Sequence, residues 1–442
     1  MAEPLTDGSR PRGSGASVSP ASVSRRLLQR PTRAVGSAAM VSVAFLAANG
    51  LSYVFTVLAT RVLVPAAYGE LAALMSVLLV GTVPATGVQT AAALFLGGAR
   101  GDRARSVARL HATALATGLV VTSVGVLVAA PVGALLHLPD AAALGWLLAL
   151  LLPHTLVAGY QGVLQGVGSY GRLAVTTAVF GATKPAGAAA GLLIGGTPTS
   201  ALAGMTLGAS VGALVGWWLC RRPGFAWQLR GPAAATLRAS GALLGFVVLL
   251  NLDVLLARHH LPAQAAGEYA VGAVFAKVAF WLPQGIGVML LPRLADAGHR
   301  RRLLPRAMAV VAAAGALLTL GTAALGTQAL SLVGGSAYGA SLGAAAWVFA
   351  ALGTAMALAQ LLLFSGIASA DRLATAAVWT AAAVECLAVE SLAAAGRLTV
   401  VSLAVVALGT AALRVAVGMV RSREARPAAR ELVPVGLEPL EP

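Results

Sequence analysis

Long apolar runs, separated by short polar breaks, recur along almost the whole chain. They fall at about 38–60, 71–97, 110–131, 142–164, 173–195, 199–220, 236–257, 268–291, 307–328, 343–365, 373–395 and 398–420. Each is close to the roughly 20 residues that an α-helix needs to cross a bilayer. Hydrocarbon offers no partners to backbone N–H and C=O groups, so a crossing segment must satisfy its own. All twelve runs are therefore predicted as helices, and the fold class as an all-α polytopic membrane protein with 12 transmembrane helices. The breaks leave no room for a soluble domain.

The pattern also repeats within itself. Val57 to Ala91 reads V-L-A-T-R-V-L-V-P-A-A-Y-G-E-L-A-A-L-M-S-V-L-L-V-G-T-V-P-A-T-G-V-Q-T-A, and Asp253 to Pro292 follows the same order of landmarks. Arg61 answers Arg258, Pro65 answers Pro262, Gly69-Glu70 answers Gly267-Glu268, and Pro84 answers Pro283. This predicts two pseudo-symmetric six-helix lobes, 38–220 and 236–420, joined by a linker at 221–235. A polar, basic and disordered tail is expected at 1–37, and a second tail at 421–442. Six helices per lobe keep both repeats in one orientation, with the relating axis along the membrane normal. The run at 38–60 is too long for a signal-peptide core, and its counterpart in the second half makes it part of the fold.

Charge sets the direction. Only 10% of the 442 residues are charged, against about a quarter in soluble proteins. With the N-terminus in the cytoplasm, all but six of the 31 basic residues lie in the tails or in cytoplasmic loops. Arg61, Arg258 and Arg397 fall outside, and Lys184, Lys277 and Arg414 within spans. That bias predicts both termini in the cytoplasm and a multi-pass protein of the bacterial plasma membrane. The net charge of +16 does not point to nucleic acid, because no folded basic domain is left to bind it. Ser24 to Arg30 is open to two roles, a lipid-surface contact or a solvated tail. Cys220 and Cys386 both fall in or beside spans, which argues against a disulfide framework or a zinc site.

No catalytic constellation is visible, and no cofactor or metal is called for. The six histidines are scattered over different helices and loops. Ionisable groups at membrane depth carry more information, since each costs roughly 2.5–3.5 kcal/mol on insertion scales. Lys184 and Glu385 lie at nearly the same depth in corresponding spans. Lys277 and Asp253 approach each other across the second hairpin. These four are expected either to face a polar cavity or to pair between helices. Arg414, near the cytoplasmic end of its span, is expected to snorkel. Arg61 with Glu70, and Arg258 with Glu268, can pair across their own hairpins as solvated salt bridges or form an outer gate between the lobes. Pro84 and Pro283 predict matched kinks. Asn49, Gln89, Asn251 and Gln284 are uncharged polar groups that can bind sugar hydroxyls or join neighbouring helices. Gly204, Gly208, Gly212 and Gly216, with Gly187, Gly191 and Gly195, form four-step ridges that predict tight helix packing.

The stretch N-G-L-S-Y-V-F-T-V-L-A-T-R…P-A-A-Y-G-E at Asn49 to Glu70 resembles the multidrug/oligosaccharidyl-lipid/polysaccharide exporter superfamily. So do N-L-D-V-L-L-A-R-H-H-L-P…A-G-E-Y-A at Asn251 to Ala270 and L-P…L-P-R at Leu282 to Arg293. Within it, the chain looks most like the bacterial polysaccharide biosynthesis proteins, which are oligosaccharide flippases. The resemblance implies transport of a polyprenyl-diphosphate-linked oligosaccharide from the cytoplasmic to the outer leaflet. It also implies a cavity between the lobes, lined largely by spans one, two, seven and eight. Lys184 and Lys277 are then the diphosphate candidates, and Asp253 or Glu385 a site for Na⁺ or H⁺. The embedded charges sum to zero, whereas such flippases commonly have a basic cavity. A drug/cation antiporter of the same fold is the alternative. A membrane scaffold recruiting glycosyltransferases or a polymerase is a third.

Overall fold

The computed structural model describes residues 20–97, 102–226, 230–281, 297–335, 338, 340–368 and 372–424. Fourteen α-helices and no strand occur among them. In order they are α1 (Pro20–Val62), α2 (Pro65–Gly81), α3 (Val83–Gly97), α4 (Arg103–Leu127), α5 (Ala129–Leu135), α6 (Ala141–Gly166) and α7 (Tyr170–Gly195). There follow α8 (Pro198–Leu219), α9 (Arg230–His260), α10 (Ala263–Trp281), α11 (Ala297–Gly334), α12 (Ala340–Ala368), α13 (Arg372–Ala394) and α14 (Val400–Glu424). Eleven stretches, α2 and α3 counting as one, are long and apolar enough to cross a membrane. The remaining expected span, 268–291, begins as α10, and its second part lies outside the described residues.

Several boundaries differ from expectation. The segment from Pro20, expected as part of a disordered tail, is the start of α1. Its Arg, Leu, Gln and Ala residues are good helix formers. The linker is also shorter than 221–235, because α9 already begins at Arg230. The second span is two helices meeting at Thr82, two residues ahead of Pro84. The break falls there because a proline restricts the residue before it and cannot donate to the previous turn.

Side chains facing away from the bundle are apolar. Ile194 is 89% exposed and Leu127 80%, as suits helices that meet lipid rather than water. In the first half, α7 packs along α8 and α1, while α6 holds α3, α4 and α8. In the second, α12 holds α10, α11 and α14, and α13 packs on α9 and α14. The halves meet where α3 lies along α9 and α2 lies against α10 and α9.

The glycine ridges do what their spacing predicts. A Cβ on Gly187 would lie 2.2 Å from the carbonyl oxygen of Gly204, and one on Gly204 2.0 Å from that of Gly187. Thr183 Oγ1 donates to the Gly208 carbonyl at 2.7 Å along the same seam. Bare backbone against bare backbone maximises dispersion contact where no hydrophobic force separates helix from lipid.

A second internal repeat appears at the turns into α8 and α14. The Ser200 N–H donates to Thr197 Oγ1 at 3.1 Å, and the Thr197 N–H to Ser200 Oγ at 3.2 Å. Ser402 and Thr399 repeat both bonds, at 3.1 and 2.8 Å. Each reciprocal cap satisfies orphan donors of a helix start. Each also follows a left-handed glycine, Gly196 (φ +64°) and Gly396 (φ +67°), a conformation only glycine adopts freely.

Candidate functional site

The second half encloses an acidic cluster. Asp253 on α9 is 5% exposed, and its Oδ2 accepts the Tyr269 hydroxyl of α10 at 2.8 Å. Glu385 on α13 is fully buried, and its Oε2 accepts the Thr410 hydroxyl of α14 at 3.1 Å. The other carboxylate oxygen of each, Asp253 Oδ1 and Glu385 Oε1, is buried with no hydrogen-bond partner. The two carboxyls are near enough to act on each other electrostatically. Lys277 on α10 and Asp253 line one small pocket with Leu250, Phe280 and Met356. The pocket has room for a water or a desolvated cation. Arg414, expected to snorkel, is 8% exposed and stacks over Phe246 with its carbon Cζ 5.3 Å from the ring centre. It stays inside because α14 packs between α12 and α9.

The first half instead places a lysine and a histidine around one aromatic ring. Lys184 on α7 places its ammonium 5.4 Å from the centre of the Phe180 ring. His154 on α6 meets the same ring edge-on at 5.2 Å. Its Nδ1 is buried without a partner. Among the described residues no carboxylate lies within ion-pair distance of Lys184.

On the sparsely charged side, the two halves are clasped together. Arg258, 7% exposed, donates from Nε to the Leu136 carbonyl at 2.9 Å and from Nη2 to the His137 carbonyl at 3.2 Å. A longer bond, 3.5 Å, reaches the Ala66 carbonyl at the start of α2. His259 Nδ1 donates to the Leu135 carbonyl at 2.8 Å and its ring stacks on His137. His260 Nε2 meets Glu390 of α13 at 3.0 Å. Across the molecule, Arg61 donates to the Leu332 carbonyl and Thr60 Oγ1 to the Val333 carbonyl at 2.6 Å. The expected pairs within each hairpin, Arg61–Glu70 and Arg258–Glu268, do not occur. Backbone carbonyls at helix ends are unpaired acceptors, and they take the guanidinium groups instead. Buried Glu70 feels the charge of Arg258, a residue of the other half. Glu268 is half-buried and lies near Tyr338.

The duplicated Gly-Glu landmarks meet at the centre of this clasp. A Cβ on Gly267 would lie 1.9 Å from the Pro65 carbonyl oxygen, and one on Gly69 2.8 Å from the Gly267 nitrogen. The repeat that marks each hairpin in the sequence is thus the place where α2 and α10 touch through bare backbone.

No model of a known protein family matches the sequence, and no curated protein does. Solved structures match in fold. An inward-facing multidrug resistance MATE family transporter of the MOP superfamily has a TM-score of 0.70 at 11% identity, over 84% of this chain and 93% of that one. The lipid II flippase MurJ, in an inward closed conformation, scores 0.69 at 11% identity, over 87% of each chain. The fold is that of the multidrug/oligosaccharidyl-lipid/polysaccharide exporters. An outward-facing MATE transporter scores 0.57 at 13% identity, over 88% of this chain and 94% of that one. Those structural neighbours are transporters and flippases rather than enzymes.

Within the exporter fold the uncharged polar candidates are spread out. Asn49 on α1 and Gln89 on α3 are half-buried. Asn251 is 1% exposed and turns its amide nitrogen to the Val247 carbonyl of its own helix at 2.9 Å. Pro283 and Gln284 lie outside the described residues. Sequence reasoning passed over the histidines as scattered, yet His137, His259 and His260 form one group. The signal was faint: a His pair at the end of a span, more than a hundred residues from the turn it meets. His154 was missed likewise, since nothing local ties it to Lys184.

Proposed function

We propose that this protein is a flippase that moves a polyprenyl-diphosphate-linked oligosaccharide from the cytoplasmic to the outer leaflet of the bacterial plasma membrane, for cell-surface polysaccharide synthesis. The observation that carries the reading is Lys184, an enclosed cation with no carboxylate beside it, inside an exporter fold. Lys277 was its equal in the sequence. Sharing a pocket with Asp253 gives it a counter-charge and leaves Lys184 the stronger diphosphate ligand. Asn49, Gln89, Asn251 and Gln284 are proposed sugar-facing groups.

Lobes 38–220 and 236–420 rock about the seam, with Pro84 and Pro283 as bending points and both termini in the cytoplasm. Arg61, Glu70, Arg258 and Glu268 belong to the outer gate, which the Gly69–Gly267 contact holds shut. The better fit to the inward-facing than to the outward-facing relative agrees with a closed outer side. Each negative charge moved outward across an inside-negative membrane gains about 2.3 kcal/mol per 100 mV, so a diphosphate can draw on the potential directly. Asp253 and Glu385 serve the return step by taking Na⁺ or H⁺ in the second half.

The acidic pair also favours one second reading, a drug/cation antiporter, because two carboxylates with unpartnered oxygens suit a cationic cargo. Liposomes holding the purified full chain separate the two. The flippase reading expects a labelled polyprenyl-diphosphate oligosaccharide to change leaflets, and the Lys184→Ala/Lys277→Ala double variant to stop it while still inserting. Transport of cationic dyes with an inert lipid-linked sugar reverses the assignment.

A further inference from the structure

We propose that the arginine-rich end of α7 and α8 is a binding site for an anionic phospholipid, with the headgroup on Arg172, Arg221 and Arg222 and an acyl chain along α8. The site stands whichever cargo the transporter moves, because none of its residues belongs to the flippase reading.

An apolar rail leads up to the charges. Leu207, Val211, Leu214 and Trp218 are all exposed. They fall at steps of four, three and four along α8, which sets them on one face of the helix. From Leu207 to Trp218 is about 16 Å at 1.5 Å per residue, close to half of the roughly 30 Å hydrocarbon core. The rail is thus about one leaflet deep. Trp218 ends it, and exposed Tyr170 stands at the same end, on the first turn of α7. Amphipathic rings of this kind favour the headgroup level.

The cations gather where the rail ends. Arg172 donates from Nη1 to the carbonyl of Leu219, the last residue of α8, at 3.3 Å. It also lies near enough to Cys220 to act on it electrostatically. Arg221 and Arg222 follow directly. Their N–H groups donate to the Trp218 and Trp217 carbonyls, both at 3.0 Å, the two bonds of a Schellman turn. That turn favours glycine in its left-handed position, yet Arg221 stands there at φ +65° and Arg222 follows at +52°. Two adjacent arginines are thus held in a conformation that side chains disfavour. The segment is pinned beyond them as well. Trp217 Nε1 donates to the Pro223 carbonyl at 3.4 Å, and Phe225 packs on His111 of α4 with ring centres 4.8 Å apart. Arg172, Arg221 and Arg222 are exposed, and none of them pairs with a carboxylate among the described residues. Phosphate is the complementary group, since the guanidinium fork matches its oxygens. A phosphate that carries an acyl chain satisfies the charges and the rail together, and basic groups beside membrane helices attract anionic lipids.

Lipid titration of the purified full chain in detergent, read by native mass spectrometry, tests the site. The probes are phosphatidylglycerol and phosphatidylcholine of equal chain length. Phosphatidylglycerol should bind saturably and about tenfold tighter. Arg221→Gly/Arg222→Gly should lower that affinity about tenfold. The same variant should unfold at an unchanged or higher temperature, because glycine suits the turn, so lost binding is not lost fold. Arg221→Lys/Arg222→Lys keeps the charge without the fork and should fall between the two. Trp218→Ala should weaken both lipids alike, about threefold. Arg103→Gln/Arg105→Gln removes two exposed arginines at the start of α4 and should change nothing. The site is overturned by equal affinity for the two lipids, by unchanged affinity in Arg221→Gly/Arg222→Gly, or by an equal loss in the α4 variant, the mark of net charge alone. Displacement of phosphatidylglycerol by glycerol 3-phosphate at equal concentration overturns the assignment to a lipid.

Discussion

Lys184 in the first half and Glu385 in the second each stand near the middle of a helix, α7 and α13. Around Lys184 are an aromatic ring and a histidine, with no acid within reach. Around Glu385 are Thr410 and the field of Asp253, and Asp253 in turn shares a pocket with Lys277. The skeleton is shared down to the capped turns at Thr197 and Thr399. The two halves thus share the capped turns, while the groups enclosed in each differ in charge. The proposed division of labour, an anion in the first half and a return cation in the second, rests on that difference.

The sharpest attempt to erase the difference is to give the first half its own carboxylate. Lys184→Glu should reduce lipid-linked sugar translocation a hundredfold or more, because it turns an attractive charge into a repulsive one; residual transport near the unsubstituted rate removes Lys184 from the path. Next, Asp253→Asn with Glu385→Gln should cut the response of transport to a Na⁺ or proton gradient about tenfold. Pyrophosphate affinity should hardly change in that double variant, and a parallel loss would mean the two halves do not divide the work.

The remaining two predictions compare packing. Gly204→Leu must push into the backbone of Gly187 and should destabilise the protein by about 1–3 kcal/mol or more. Gly409 on α14 has nothing within 4 Å of a built Cβ, so Gly409→Leu should cost little or stabilise slightly through helix propensity. Thermal unfolding in one detergent reads both. The smallest effect is expected at the matched caps, where Thr197→Val and Thr399→Val should each cost about 1 kcal/mol. Unequal losses there would show that the two turns are alike in shape and not in energy.

Much of this was legible in the chain itself. The spans, the doubled hairpin and the embedded charges follow from period, length and the cost of charge in hydrocarbon. The glycine ridges followed from spacing, as the contact between Gly187 and Gly204 shows. What stayed hidden depends on which main-chain oxygens approach which side chain. Arg61 and Arg258 had acidic neighbours in sequence and chose carbonyls distant in it. Arg414 had a short path to the membrane surface by count of residues, but Phe246 covers it. The twin Thr–Ser caps were readable, yet a four-residue pattern says little until a left-handed glycine stands before it.

Arg258 grips Leu136, His137 and Ala66 only through their carbonyl oxygens. A grip of that kind is indifferent to side-chain identity. The hold of Arg258 on the turn after α5 therefore survives changes of side chain there, although buried Leu136 is still fixed by packing. His137 is constrained as well, because its φ of +48° admits few replacements beyond Gly, Asn and Asp. A substitution scan of 135–137 should find tolerance at exposed Leu135 and intolerance at buried Leu136 and at His137.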